Sequence, residues 1–204
     1  VLASKDIRHG AIECLFTVDE ETGFTGAFAL QPGFFEGKIL LNLDSEDEGE
    51  LFIGCAGGID TVGRMPYEKT ITPAHKFAVK IQVKGLLGGH SGDDINKGRG
   101  NAIKILNRFL WELNEKFGIL VARLEGGNLR NAIAREAEAV IVFDDILKEN
   151  VRVEFNIYAA AMEEVWKITE PGLRMDLEST ELPEYVLTDT CTTRLLNALY
   201  ACPH

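Results

Sequence analysis

The segment Thr17-Val18-Asp19-Glu20-Glu21-Thr22-Gly23 places two adjacent glutamates just past an apolar run. Neighbouring side chains on an extended chain point to opposite sides, so one carboxylate can ligate a cation while the other takes protons from water on that cation. A solvated acidic turn is the ordinary alternative. Downstream, Asn42-Leu43-Asp44-Ser45-Glu46-Asp47-Glu48-Gly49-Glu50 is a dense acidic run of the kind usually found in exposed loops. Asp44 differs from the rest because it directly follows the apolar run, where its carboxylate is expected to reach the same crevice as Glu20 and Glu21. The Gly-rich turn Gly85-Leu86-Leu87-Gly88-Gly89-His90-Ser91-Gly92 exposes one histidine. Glycines allow close backbone approach to a ligand, and an imidazole held there can donate a hydrogen bond to a developing oxyanion. No Gly-Lys-Ser/Thr follows, so the turn is not a phosphate loop. Around Asn131, the segment Gly126-Gly127-Asn128-Leu129-Arg130-Asn131-Ala132-Ile133 offers amide and guanidinium groups suited to a carboxylate, with plain loop structure as the alternative.

The elements that must position these residues follow two rhythms. Residues 12–18 and 39–43 are short apolar runs rich in strand formers, as expected of strands buried on both faces, and residues 22–30 between them have helix-like content. This is an α/β pattern, in which working residues gather beyond the carboxyl ends of the strands. From residue 75 the pattern changes: Phe77, Val79, Ile81 and Val83 alternate with Ala78, Lys80, Gln82 and Lys84, predicting a strand with one wet face. An amphipathic helix is expected over 99–117, with Ile103, Leu106, Leu110, Leu113 and Phe117 on one face and Gly118 as its stop. Strands over 119–124 and 138–143, a helix over 149–168 carrying Val151, Phe155, Tyr158, Met162 and Val165 on one face, and a strand over 173–177 complete a β-α-β-β-α-β order. That order is the ferredoxin-like arrangement. A last helix is expected over 188–200, capped by Thr188 or Asp189. The Gly and Pro residues near Gly57, Gly58, Gly63 and Pro66 mark the boundary between residues 1–65 and 66–204.

Composition narrows the partners. The 204 residues carry 21 Lys and Arg against 32 Asp and Glu, a formal charge of -11 that repels nucleic acid and anionic membranes. Neither a spanning apolar segment nor a secretion signal is visible. Cys14, Cys55, Cys191 and Cys202 form no Cys-x-x-Cys pair and read as reduced, mostly buried thiols of a cytosolic protein. The chain opens at Val1 without Met and stops just after a helical pattern, so it is expected to be an internal fragment.

Together, Thr17-Val18-Asp19-Glu20-Glu21-Thr22-Gly23, Asn42-Leu43-Asp44-Ser45-Glu46, Gly54-Cys55-Ala56-Gly57-Gly58, Gly88-Gly89-His90-Ser91-Gly92 and Leu129-Arg130-Asn131-Ala132-Ile133 closely resemble the aminoacyl-histidine dipeptidases. These form the carnosinase-like, Xaa-His branch of the co-catalytic zinc aminopeptidase and carboxypeptidase superfamily. The likeness runs in order from about residue 11 to 137. It implies an α/β fold: part of a zinc-peptidase catalytic domain over 1–65, then a ferredoxin-like α+β lid domain over 66–204, C-terminally incomplete. By the same resemblance Glu20 matches the general base, Glu21 a ligand of one metal ion, Asp44 a ligand of the other, His90 the lid histidine that stabilises the tetrahedral intermediate, and Asn131 a lid residue near the substrate. The cofactor implied is a pair of zinc ions, with cobalt or manganese accepted by the same ligand types. The partners implied are a small peptide substrate and a second copy joined through the lid, in the cytoplasm.

The superfamily also uses a His-x-Asp motif, a bridging aspartate and a histidine near the C-terminus, and none of His9, His75, His90 or His204 is followed by x-Asp. One carboxylate per ion falls short of the three protein ligands a catalytic zinc normally has, so the intact protein is expected to hydrolyse dipeptides and these residues alone are not. Ala134 stands where relatives commonly carry Pro. Two other readings stay open: a different amidohydrolytic relative such as an aminoacylase or tripeptidase, and a non-catalytic α+β binding or dimerisation module.

Overall fold

The computed structural model describes residues 3–20, 23–44, 48–55, 57 and 59–203. Its contacts divide the chain into two compact units, Val1–Gly58 and Ile59–His204.

In the first unit, the described residues are held by turns around one short helix, α1 (Thr25–Phe28). Asp19 adopts a left-handed backbone, and its carbonyl oxygen accepts from the amides of Gly23 and Phe24 at 3.1 and 2.7 Å. Its carboxylate accepts from the Thr25 hydroxyl. The Glu13 carboxylate accepts from the amides of Glu36 and Gly37, at 3.1 and 2.6 Å to Oε2. The strands expected over 12–18 and 39–43 are absent among the described residues of this unit. Phe16 and Leu43 are each 91% exposed, where burial was expected. The physical reason is that a strand buried on both faces is stabilised by hydrogen-bonding neighbours and by layers covering it. The described residues of this unit supply neither.

The second unit is built from elements whose patterns are longer. In chain order they are β1 (Lys69–Ile71), β2 (Lys76–Lys84), β3 (Gly89–His90), a 3₁₀ turn (Ile95–Lys97), α2 (Ala102–Phe117), β4 (Leu120–Gly126), β5 (Ala132–Ile133), β6 (Ala137–Asp144), a second 3₁₀ turn (Asp145–Leu147), α3 (Lys148–Trp166), β7 (Arg174–Thr180), β8 (Tyr185–Leu187) and α4 (Asp189–Ala201). The main sheet has four strands in the order β4-β6-β2-β7, all antiparallel. Read by first appearance among these strands, this is the ferredoxin-like order, with the two middle positions taken by the first and third strands.

Alternation along β2 sends Val79, Ile81 and Val83 into the core with Leu106, Phe109, Leu110 and Leu113 of α2, Ala139, Ile141 and Phe143 of β6, and Val151, Phe155 and Tyr158 of α3. Removing this apolar surface from water supplies the main drive to fold the unit. Phe109 stacks edge-on against Phe155, with ring centroids 5.8 Å apart, and lies beside Tyr158 at 5.0 Å. Asn101 caps α2 by accepting from the amides of Ile103 and Lys104, so the helix starts later than its apolar spacing suggested. Gly118 ends it with a left-handed backbone.

Smaller features differ from expectation. Val165 is exposed rather than on the buried face of α3. The opposite face of the sheet is not wholly wet, because Ala78 and Val142 pack with Val186 of β8 in a second small core. That strand pairs with β1, a contact between segments too short to announce themselves. Of the cysteines only Cys191 is buried, whereas Cys14, Cys55 and Cys202 are exposed, since they lie outside the sheet-and-helix core. Thr188 is the residue that caps α4, its hydroxyl accepting from the Cys191 amide at 3.3 Å. No helix among the described residues is long and apolar enough to cross a membrane.

Candidate functional site

His90 is positioned by backbone pairing. β3 lies antiparallel to β5, with Gly89 opposite Ile133 and His90 opposite Ala132. The Ser91 amide donates to the Asn131 carbonyl oxygen at 2.8 Å, which continues the pairing and sets His90 next to Asn131. Gly88 and Gly89 make this possible: both have positive φ, and a Cβ on Gly89 would lie 2.5 Å from Asp94 Oδ2.

The imidazole is oriented by its own turn. His90 Nδ1 accepts from the amides of Gly92 at 3.0 Å and Asp93 at 3.3 Å. The Asp93 carboxylate is 3.9 Å from the same nitrogen, too far for a hydrogen bond, so the two amides decide the tautomer. In the neutral ring Nδ1 is therefore an acceptor and Nε2 carries the proton. The His90 amide donates to Asp94 Oδ2 at 2.7 Å, and Asp94 Oδ1 accepts from Lys97 Nζ at 2.7 Å. The hydrogen bond from Lys97, followed by that from the His90 amide, holds the Asp94 carboxyl below the usual carboxylate range. Arg99 donates to the Gly88 carbonyl oxygen at 2.6 Å and closes the turn from its far end.

His90 and Asn131 line a groove of about 850 Å³ together with Lys84, Leu87, Arg135 and Glu138. Its walls mix apolar surface with amide, guanidinium and carboxylate groups, which suits a small zwitterionic ligand. Arg130, which the sequence offered as a carboxylate partner, is paired with the Asp60 carboxylate.

Glu20 and Asp44 are exposed residues of the first unit. The Asp44 amide donates to Asn42 Oδ1 at 3.1 Å, a local turn that fixes the backbone at this residue. Glu21 lies outside the described residues, as do Ser45, Glu46 and Asp47 of the acidic run. Among the described residues no group of three or more His, Cys, Asp or Glu side chains is disposed to hold a metal ion. Those residues do not by themselves fit a zinc ion, which needs three or more protein ligands.

Known proteins resemble this chain in sequence and in fold. Residues 81–170 match the peptidase dimerisation domain family. Over its whole length the chain is 38% identical to the cytosol non-specific dipeptidase of Escherichia coli. It also superposes over its whole length, with a TM-score of 0.81 and 39% identity, on the crystal structure of aminoacylhistidine dipeptidase from Vibrio alginolyticus. The chain is similar to dipeptidases along its whole length. It spans 42% of the Escherichia coli protein and 41% of the Vibrio alginolyticus chain. An uncharacterised Bacillus subtilis protein is 26% identical over 87% of the chain, which covers 44% of that protein. The segment matched to the dimerisation domain contains His90 and Asn131, whereas Glu20, Glu21 and Asp44 lie before it.

Proposed function

We propose that this chain is part of a metal-dependent, cytoplasmic dipeptidase that cleaves dipeptides with a C-terminal histidine and works as a homodimer joined through residues 66–204. The observation that carries the reading is the likeness to two dipeptidases along the entire chain at 38% and 39% identity. Because the chain spans about two fifths of each, the activity belongs to the longer protein, and these 204 residues alone are inactive.

In this reading Glu20 takes a proton from the attacking water and hands it to the leaving amine. Glu21 and Asp44 each supply one ligand to a pair of metal ions, zinc by preference, whose remaining ligands are outside this chain. His90 donates its Nε2–H to the oxyanion that forms at the scissile carbonyl, the only hydrogen bond the neutral ring has left to give once Nδ1 is an acceptor. Asn131 contacts the substrate from the neighbouring strand.

The test is a substrate panel given to the full-length protein before and after metal chelation: Xaa-His dipeptides, other dipeptides, tripeptides and N-acyl amino acids. Chelator-sensitive release of histidine from the first group is expected. Hydrolysis only of tripeptides or N-acyl amino acids, or activity indifferent to chelation, would overturn the reading.

A further inference from the structure

Glu170 sits in the connection between α3 and β7 and is 1% exposed, an unusual place for a carboxylate. Burial strips its hydration, and that loss is offset only where hydrogen bonds replace the water. Both of its oxygens are engaged: Oε2 accepts from the Leu87 amide at 2.7 Å and Oε1 from the Gly100 amide at 2.7 Å. Those two amides are the ends of the segment that carries His90, its Gly-rich approach and the 3₁₀ turn at Ile95–Lys97. One side chain thus ties both feet of the histidine loop to a third element.

The surrounding backbone is shaped for this contact. Gly85 and Gly172 pass so closely that a Cβ on Gly85 would lie 2.1 Å from the Gly172 carbonyl oxygen, and one on Gly172 would lie 2.4 Å from that of Gly85. A Cβ on Gly100 would come 3.2 Å from Glu170 Cγ. An apolar side chain of similar volume would fill the same space, but it would leave the buried Gly100 amide and the part-buried Leu87 amide without this acceptor. What the carboxylate adds over packing is therefore closure of the loop. Inside the closed loop the bonds from Arg99 to Gly88 and from the His90 amide to Asp94 hold the backbone, and the Gly92 and Asp93 amides orient the imidazole through Nδ1.

We propose that Glu170 is a positioning residue for His90: its buried carboxylate clamps both ends of the 87–100 segment and holds the imidazole where the reaction uses it. The kinetic half rests on the role given to His90 under the proposed function, whereas the clamp itself does not. In the full-length protein, Glu170→Gln keeps the size but turns an N–H toward one of the two amides, so one bond is lost. Hydrogen exchange read by mass spectrometry should quicken across 87–100 and stay unchanged in α2 and β6. The turnover number should fall about 10- to 100-fold, as expected for a catalytic group misplaced by an ångström or less, with KM changed by less than about threefold. In a His90→Ala background, Glu170→Gln should cost no further turnover. If Glu170→Gln does not fold, Glu170→Asp, which keeps both acceptors on a shorter arm, carries the same comparison. Unchanged exchange over 87–100, or a further tenfold loss of turnover in the double variant, would overturn the proposal. Wild-type turnover in His90→Ala alone would overturn the role of His90 and leave exchange to decide the clamp.

Discussion

The amide of Ser91 and the carbonyl oxygen of Asn131 are 2.8 Å apart, a backbone bond that places two polar residues from distant parts of the sequence on adjoining strands. It continues the pairing of β3 with β5 and makes His90 and Asn131 neighbours on one groove. Backbone bonds hold such a pair more firmly than side-chain contacts between two loops would, and the role proposed for His90 requires firm placement.

The turn before His90 has no room for a side chain. In Gly89→Ala the new methyl would meet Asp94 Oδ2 at 2.5 Å and Asp94 Cβ at 2.7 Å, at a φ of +144° that L residues rarely adopt. Asp94 cannot simply swing away, since Lys97 and Arg99 hold it. The β3–β5 ribbon lies apart from the main sheet, so the melting temperature of the full-length protein should move little while turnover falls about 10-fold or more. Calorimetry beside a dipeptidase assay checks both, and unimpaired turnover would remove the turn from the site.

Tyr158 provides a readout of core integrity in alkali. Burial, the largest influence, pushes its hydroxyl above the ordinary phenol range, and the hydroxyl donates to the Ile105 carbonyl oxygen at 2.9 Å. The folded state thus keeps its proton where the unfolded chain releases it. Stability from this group is fully present below a pH of about 10 and is lost as pH rises above it. A titration of phenolate absorbance should show Tyr158 ionising in a late step that appears only with unfolding. Tyr158→Phe should abolish the late step and cost about 1 kcal/mol at neutral pH.

The elements readable from sequence were those whose own residues decide them. The alternation over β2, the three-and-four spacing of Leu106, Leu110 and Leu113, and the stop at Gly118 are local signals, and each appears in the structure close to its expected place. The strands expected over 12–18 and 39–43 failed because an apolar run specifies a buried strand only when neighbours complete it. β1, β3, β5 and β8 are two or three residues long and exist through their pairing partners, which no local pattern reveals. His90 and Asn131 stood out by type and by their glycine-rich surroundings, but their adjacency comes from that pairing. Glu170 went unnoticed because a lone glutamate after a helix resembles ordinary solvated surface. Only the folded chain shows both of its oxygens turned onto amides.

In the proposed reaction Glu20 moves the proton between water and the leaving amine. Glu20→Gln in the full-length protein tests this role most directly, because the amide keeps the shape and cannot accept a proton from water. With Glu20 as the base, kcat/KM for an Xaa-His dipeptide should fall about 10²- to 10⁴-fold, the range general-base catalysis supplies, with metal content unchanged. A variant whose kcat/KM stays within about threefold of the parent would contradict that role.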